Sequence, residues 1–403
     1  MLTRQGWALA AGAVALVATG RFFGVLELFV LGAGAMALVV IAVARTALVR
    51  LDVAVRRDVH PPRVHTGSPS RIELEVINRG PRTTPVLQIL DGVSGTRGAD
   101  LGLAPISPGA HARAAYRLPT RRRGIVVIGP LDLVLTDPFG LTSLRVRGAE
   151  RTELTVYPRI DHIVGLPETV GHDPEATEQA PSSIGPSGDE FFALRPFEVG
   201  DELRRVHWPS SARFDELQVR QTELPWQGRV TVVTDLRVPD QSEEALDLVV
   251  SAAASVATAA RRTGELFRLI GTDGADSGFV PGNAAYGAVL EYLATVGPSR
   301  SDRIDPIVDT VSRTSLGGAL VIVSAGLGRH DRARIDAISS RFASTTTVVI
   351  DRSAWESSTT PDPENRRPTD VVVDSETPFA AAWNRAMVAR RRRGTVTRAG
   401  VLR

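Results

Sequence analysis

Three polar residues, Asp235, Asp273 and Ser324, each follow an apolar segment and could act together. If the apolar segments are parallel strands, their carboxyl ends meet at one edge of a sheet, which is where ligands gather in α/β proteins. Carboxylate and hydroxyl oxygens are hard ligands that suit a divalent cation. One interpretation is therefore a metal-dependent adhesive module or an enzyme of unrecognised type at this edge.

Other catalytic patterns are missing from the sequence. Among 403 residues there is no cysteine, which excludes thiol catalysis, disulfide scaffolds and cysteine-ligated zinc. The seven histidines lack zinc-ligand spacing, and no Gly-x-Ser-x-Gly elbow, Walker loop or Gly-x-Gly-x-x-Gly fingerprint occurs. All 47 basic residues are arginine and the net charge is only +2, so the charge does not indicate a nucleic-acid partner. We therefore expect that the protein is not an enzyme and that it binds no cofactor and no metal ion.

The region that must position the three polar residues, 228–403, alternates strand and helix patterns. A buried strand at 228–235 is followed by a long amphipathic helix with Ser242 as its N-cap. Further strands are expected at 266–274, 318–326 and 345–351, with helices at 283–297 and 331–343, and a short strand followed by a closing helix is expected within 370–393. Such alternation predicts a mostly parallel, Rossmann-like sheet covered by helices on both faces.

The middle region, 51–164, has a different pattern. Short segments alternate apolar and polar residues and are separated by Gly, Pro, Asn and Asp, which predicts a small antiparallel β-sandwich-like domain. The next stretch, 165–188, is rich in Pro, Gly, Ser and acidic residues and is interpreted as a linker.

The first 50 residues predict a hairpin of two transmembrane helices. Two nearly uncharged segments, 7–19 and 28–44, are long enough to span a bilayer once their flanking residues are included. Arg4 precedes the first segment, only Arg21 lies between the two, and Arg45, Arg50, Arg56 and Arg57 follow the second, so the positive-inside rule places both ends in the cytoplasm. The first segment also resembles a signal peptide, but its cleavage would leave the soluble part on the same side.

A block at 189–227 carries an unusual density of paired charges and aromatic residues. It resembles the signature of a bacterial family called domain of unknown function 58, in which Leu-Arg-x-Tyr is followed by Gly-Asp, a spaced Arg, a Trp and Ser-Ala-Arg. Phe197 stands where the family has tyrosine, and Pro209 follows the tryptophan. The matching positions are Leu194, Arg195, Phe197, Gly200, Asp201, Arg204, Trp208, Ser211, Ala212 and Arg213.

The order of the regions fits the same family, including a stretch from Tyr116 that ends in Asp-Pro-Phe-Gly-Leu at 137–141. The resemblance implies a C-terminal von Willebrand factor A-like domain, no established activity, and frequent genomic proximity to MoxR-type AAA ATPases and transglutaminase-like membrane proteins. Metal-binding A-type domains have Asp-x-Ser-x-Ser after the first strand. Here Asp235 is kept, but Arg237 and Pro239 replace the hydroxyl residues, so the metal position is degenerate.

These observations predict a membrane-anchored, non-enzymatic scaffold with cytoplasmic soluble domains and a protein partner such as a MoxR-type ATPase. Two roles remain open for the signature block. Its charges and Trp208 could join the sandwich to the α/β domain, or they could dock the partner. A short helix through Leu203 and Trp208 that ends at Pro209 is expected there, with Trp208 structural and Arg204 or Arg213 partly exposed.

Overall fold

A computed structural model describes residues 2–166, 191–197, 206–214, 216–222, 228–237, 242–279, 283–299, 301, 303–314, 317–351 and 367–401. The chain forms two compact units. The first comprises Met1–Arg159 with Leu290–Val296, and the second comprises Ile160–Val289 with Gly297–Arg403. Most of the predicted linker, from residue 167 onward, lies outside the described residues, whereas Leu166 at its start is buried.

Two helices open the first unit, α1 at Arg4–Phe23 and α2 at Leu26–Leu48, and both are long and apolar enough to cross a membrane. The Thr3 hydroxyl accepts a hydrogen bond from the Gly6 N–H and caps α1, and Gly24 ends it in the left-handed conformation that glycine tolerates. The helices approach closely at Gly32, where a Cβ atom would lie 2.8 Å from Val17. The predicted pair of apolar helices is thus present.

Nine strands follow, in two sheets that share one apolar core. The three-stranded sheet has the order β1-β3-β6, and the second has the order β2-β9-β7-β4-β5 with β8 also paired to β7. The strands are β1 Val53–His60, β2 Arg63–His65, β3 Arg71–Asn78, β4 Leu87–Val93, β5 Ala99–Leu103, β6 His111–Arg117, β7 Gly124–Thr136, β8 Ser143–Ala149 and β9 Thr152–Tyr157.

The alternation in β3 explains this packing. Ile72, Leu74 and Val76 are buried, while the residues between them are only partly covered, as expected for a strand with one face on the core. Every pairing in the two sheets is antiparallel except that of β2 with β9. The prediction of two-sheet, antiparallel β structure is confirmed in this coarse sense.

The second unit begins with an antiparallel pair, β10 Phe191–Pro196 and β11 Gln218–Thr222, and the short helix α3 at Trp208–Phe214 lies between them in the chain. A five-stranded, fully parallel sheet follows, in the order β13-β12-β14-β15-β16. Its strands are β12 Arg229–Thr234, β13 Leu266–Gly271, β14 Ala319–Ser324, β15 Ser344–Ile350 and β16 Val371–Val373.

In this part of the chain the structure describes five helices: α4 Glu243–Arg262, α5 Asn283–Thr295, α6 Asp305–Thr314, α7 Arg329–Ser339 and α8 Phe379–Val401. The Ser242 hydroxyl caps α4 by accepting from the Ala245 N–H, as predicted. α6 was not predicted. Its buried residues Ile307 and Val311, with α7, cover one face of the sheet at Leu320 and Ile322. The alternation of strands and helices predicted for this region is otherwise present.

Candidate functional site

The end of β12 and the end of β14 meet at the carboxyl edge of the parallel sheet. Strand β12 has β13 on one side and β14 on the other, so the strand order reverses there, which is where doubly wound sheets form ligand crevices. Asp235 directly follows β12, and its N–H donates to the Val323 carbonyl at 2.8 Å. The Ser324 hydroxyl donates to Asp235 Oδ2 at 2.7 Å. Two of the three polar residues singled out from the sequence therefore touch.

Asp235 is fully buried, and its negative charge is matched by a neighbour in sequence. Arg237 Nε donates to Asp235 Oδ1 at 2.8 Å, and Arg237 Nη2 donates to Asp235 Oδ2 at 2.8 Å. The Arg237 N–H donates to the same Oδ1 at 3.1 Å. This paired arrangement of guanidinium and carboxylate is among the strongest hydrogen-bonded ion pairs in proteins.

A second carboxylate completes the cluster. Asp331, in the first turn of α7, lies 3.1 Å from Arg237 Nη2 and accepts a further hydrogen bond from the Gly328 N–H. Burial lowers the pKa of Arg237, but the hydrogen bonds and charges of Asp235 and Asp331 raise it more, so its pKa lies above the ordinary arginine value. The guanidinium is therefore a permanent positive charge between two acids.

This cluster does not fit a metal ion. The Asp235 oxygens that would bind a cation already bind the guanidinium, and a fixed positive charge at that position repels a divalent ion. Asp273 is exposed, and its carboxylate accepts from the Ala275 N–H in its own turn. Among the described residues, no three His, Asp or Glu side chains are grouped as a metal site would need.

Part of the signature block can be placed. Ser211 is buried in α3, where its hydroxyl donates to the His207 carbonyl at 3.1 Å and accepts from the Gln218 N–H at 2.8 Å. It thereby joins α3 to β11. Arg195 lies in β10 opposite Val219 of β11. Gly200, Asp201 and Arg204 lie outside the described residues, so their expected roles stay predictions.

Two expectations for this block are wrong. Trp208 is 63% exposed and so does not have the buried, structural position that we expected, whereas Arg213 is exposed as expected. The helix does not end at Pro209 but begins at Trp208, with Pro209 in its first turn. That place suits proline, because the N–H groups of a first turn have no partner within the helix.

Sequence reasoning also missed Asp331 as a member of the site. The signal was local: a Gly followed three residues later by Asp at a helix start marks an acidic first turn. Nothing local indicated that this turn would face Arg237, because that depends on how α7 packs against the sheet.

Comparison with known proteins identifies the signature-bearing region. The family described as protein of unknown function DUF58 matches residues 193–389, which include the described signature residues and the whole Asp235 cluster. Residues 193–389 are therefore similar to this family. The resemblance seen in the signature block is confirmed, and the DUF58 region starts within β10 and ends within α8.

Three similar solved structures each cover about a quarter of the chain. A CARDB domain from Pyrococcus furiosus is 15% identical over 26% of this chain and 93% of its own, with a TM-score of 0.22. The C-terminal domain of wzt is 15% identical over 28% of this chain and 75% of its own, with a TM-score of 0.20. The putative ApaA protein from Bordetella pertussis is 12% identical over 27% and 94%, with a TM-score of 0.19. A search of curated proteins finds no match.

Proposed function

We propose that this chain is a non-enzymatic, membrane-anchored interaction protein whose von Willebrand factor A-like α/β unit faces the cytoplasm and binds a protein partner, a MoxR-type AAA ATPase. The observation that carries the proposal is the position of Arg237. Its guanidinium lies against Asp235, where a metal-dependent A-type domain would need its cation. Recognition by this unit must then use direct protein contacts.

The membrane anchor rests on α1 and α2. Both helices have the length and the apolar composition of a span. The arginines that follow α2 outnumber those in the connection between the helices, which supports a cytoplasmic location for both soluble parts. A cytoplasmic α/β unit could reach a cytoplasmic ATPase, which agrees with the genomic proximity that the family resemblance implies for such enzymes.

The exposed tryptophan of the signature block supports partner docking over an interdomain role. A large aromatic side chain that is 63% exposed contributes little to the fold, whereas tryptophan is one of the residue types that dominate binding energy in protein interfaces. Trp208 also begins α3, so its backbone is held in place by a helix while its side chain stays accessible.

The rival function is a metal-dependent adhesive module or an enzyme using Asp235, Asp273 and Ser324. This function would need the Asp235 carboxylate to be released from Arg237 and the Asp273 side chain to turn towards Asp235. Metal binding separates the two proposals: calorimetry on the wild-type protein should show no saturable magnesium or manganese binding at millimolar concentration. Micromolar binding that Asp235→Ala abolishes would establish the rival.

The partner is tested by affinity capture from detergent-solubilised membranes, with and without ATP. The Trp208→Ala variant should keep its melting temperature, because exposed substitutions usually cost under about 0.5 kcal/mol, and should lose the ATPase. Val86→Ala is the matched control, because Val86 is an equally exposed apolar residue of the other unit. Equal capture by both variants would refute docking at Trp208, and absence of a MoxR-type ATPase from the wild-type capture would refute the partner.

A further inference from the structure

The turn between β7 and β8, residues 137–142, is held rigid by its own hydrogen bonds. The Asp137 N–H donates to the Thr142 carbonyl at 3.1 Å and the Gly140 N–H donates to the Asp137 carbonyl at 2.9 Å. The Asp137 carboxylate accepts from the N–H groups of Phe139 and Thr142 and from the Thr142 hydroxyl. This is the Asp-Pro-Phe-Gly-Leu stretch of the sequence, and it has a fixed shape.

The turn is bonded to both apolar helices of the first unit. The Thr3 N–H donates to the Leu141 carbonyl at 2.9 Å, and the Thr3 hydroxyl donates to the Gly140 carbonyl at 2.5 Å. On the other side, the Thr142 hydroxyl lies 2.6 Å from the Thr46 hydroxyl in α2. The start of α1 and the end of α2 thus hold the turn between them.

The side chain of Leu141 enters the helical hairpin itself. It is buried against Val39 and Ala42 of α2, with Ala10 of α1 also packed there. Val39 precedes Arg45 by six residues, which is about 9 Å along a helix at 1.5 Å per residue. Leu141 therefore lies beyond the charged end of α2, inside the part of the hairpin that a bilayer would cover.

Phe139, two residues before Leu141, is 63% exposed. Because Leu141 lies within the apolar part of the hairpin, the surface of a bilayer around α1 and α2 would be at the level of this turn. An aromatic side chain at that level would be buried about 5–10 Å into the boundary between headgroups and acyl chains, as in proteins that lie on membranes. Continuity with the two apolar helices makes lipid the occupant that the position favours.

We propose that the β7–β8 turn enters the membrane surface beside the helical hairpin, with Leu141 fixed between the helices and Phe139 embedded in lipid. The sandwich would then be held against the bilayer by three elements, the two helices and this turn. The inference rests on the membrane anchor of the proposed function and is independent of its partner.

Single cysteines test the depth of each position, because the natural chain has none and every label has one site. The full-length variants Phe139→Cys, Ile125→Cys and Val40→Cys would carry an environment-sensitive fluorophore in phosphatidylcholine vesicles that contain nitroxide-labelled lipid. Ile125 is the matched control: it is an exposed apolar residue of β7, eleven residues from Thr136, or about 36 Å along the strand. Val40 is exposed on α2 and reports the span.

The proposal expects the label at Phe139→Cys to shift its emission to the blue and to lose most of its intensity to nitroxides placed near the headgroups. The label at Ile125→Cys should show neither effect, and the label at Val40→Cys should be quenched by nitroxides deep in the acyl chains. If the label at Phe139→Cys is not quenched while the label at Val40→Cys is quenched, the inference is overturned and the anchor stands. A blue shift at Phe139→Cys without quenching would indicate a contact with protein, and it would also overturn the inference while leaving the anchor intact. An unquenched label at Val40→Cys overturns the anchor and the inference together.

Discussion

Replacement of Arg237 by alanine tests the central feature of the candidate site. Asp235 is fully buried, and only 11% of the Arg237 side chain is exposed. Without the guanidinium, the Asp235 carboxylate keeps the Ser324 hydroxyl but no compensating charge. Removal of one partner from a buried ion pair typically costs about 3–5 kcal/mol, because the remaining charge stays desolvated and unpaired.

The exposed pair of Arg367 and Asp336 provides a matched control in the same unit. It too has two guanidinium–carboxylate contacts, at 2.5 and 2.7 Å, but the two side chains are 44% and 49% exposed. Solvent screens such a pair, so Arg367→Ala should cost about 0–1 kcal/mol. The two variants remove the same side chain and differ in the burial of its carboxylate partner.

Thermal melting of the full-length protein in detergent measures the difference. For a domain of this size, each kcal/mol shifts the melting temperature by about 2–4 °C, so Arg237→Ala should lower it by about 6–20 °C and Arg367→Ala by under about 4 °C. Adding Asp235→Asn to Arg237→Ala should restore part of the loss, because no buried charge then lacks a partner. Equal melting of the two single variants would refute the view that Arg237 neutralises a buried acid.

The same reasoning predicts a gained metal response. In the Arg237→Ser variant the fixed cation is gone and a hydroxyl stands near Asp235, Ser324 and Asp331, which are oxygen donors suited to magnesium. A ligand present at about 100 times its dissociation constant stabilises the folded state by about 2.7 kcal/mol. Magnesium should therefore raise the melting temperature of Arg237→Ser and leave the wild-type value unchanged. A rise in both proteins would show that the cation acts elsewhere.

Three further predictions concern the first unit. A reporter fused after Arg403 should be active in the cytoplasm and one inserted at Phe22 should be active outside; the reverse pattern would overturn the orientation. Gly6→Ala should destabilise the detergent-solubilised protein, because a Cβ atom would lie too close to the Leu141 carbonyl oxygen, whereas Gly12→Ala, with open space around it, should be neutral or stabilising; equal melting would contradict the docking of the turn. Partial desolvation raises the pKa of Asp137, but hydrogen bonds from Thr142, Phe139 and Leu141 lower it more, so the pKa lies below its ordinary value. The stabilisation that the Asp137 carboxylate provides is therefore present above about pH 4 and is lost as the pH falls through the depressed folded pKa. The melting difference between the wild type and Asp137→Asn should accordingly shrink in acid, and a constant difference would count against this role.

Much of the fold could be predicted because periodicity and caps are local signals. The alternation of Ile72, Leu74 and Val76 specifies a strand with one buried face, and Ser242 marks the start of α4. Strands β2, β5 and β8 are only weakly marked in the sequence, because they are short or polar and gain their stability from pairing with neighbouring strands. Helix α6 was missed although its buried residues recur at helical spacing, with Ile307, Val308 and Val311 on one face.

The candidate site could be predicted only in part. The position of Asp235 at a strand end follows from the pattern, and Arg237 was recognised as unfavourable to a metal. Arg237 folds back onto Asp235 and also reaches Asp331. These contacts depend on side-chain direction and on helix packing, which are not local properties of the sequence. The exposure of Trp208 was missed for a similar reason, because the local sequence of an aromatic residue among paired charges is compatible with either a buried or an exposed position.

The arginine at the sheet edge also sets how this edge can be regulated. A divalent ion leaves its site when its concentration falls, and a histidine loses its charge near neutral pH, so either could switch a binding surface. Arg237 can do neither, because it is covalently part of the chain and its pKa is raised above the ordinary arginine value by Asp235 and Asp331. The positive charge of Arg237 is therefore constant under physiological conditions. If the proposed partner binds at this edge, a change in its binding must come from movement of α7, which carries Asp331, or from the partner itself.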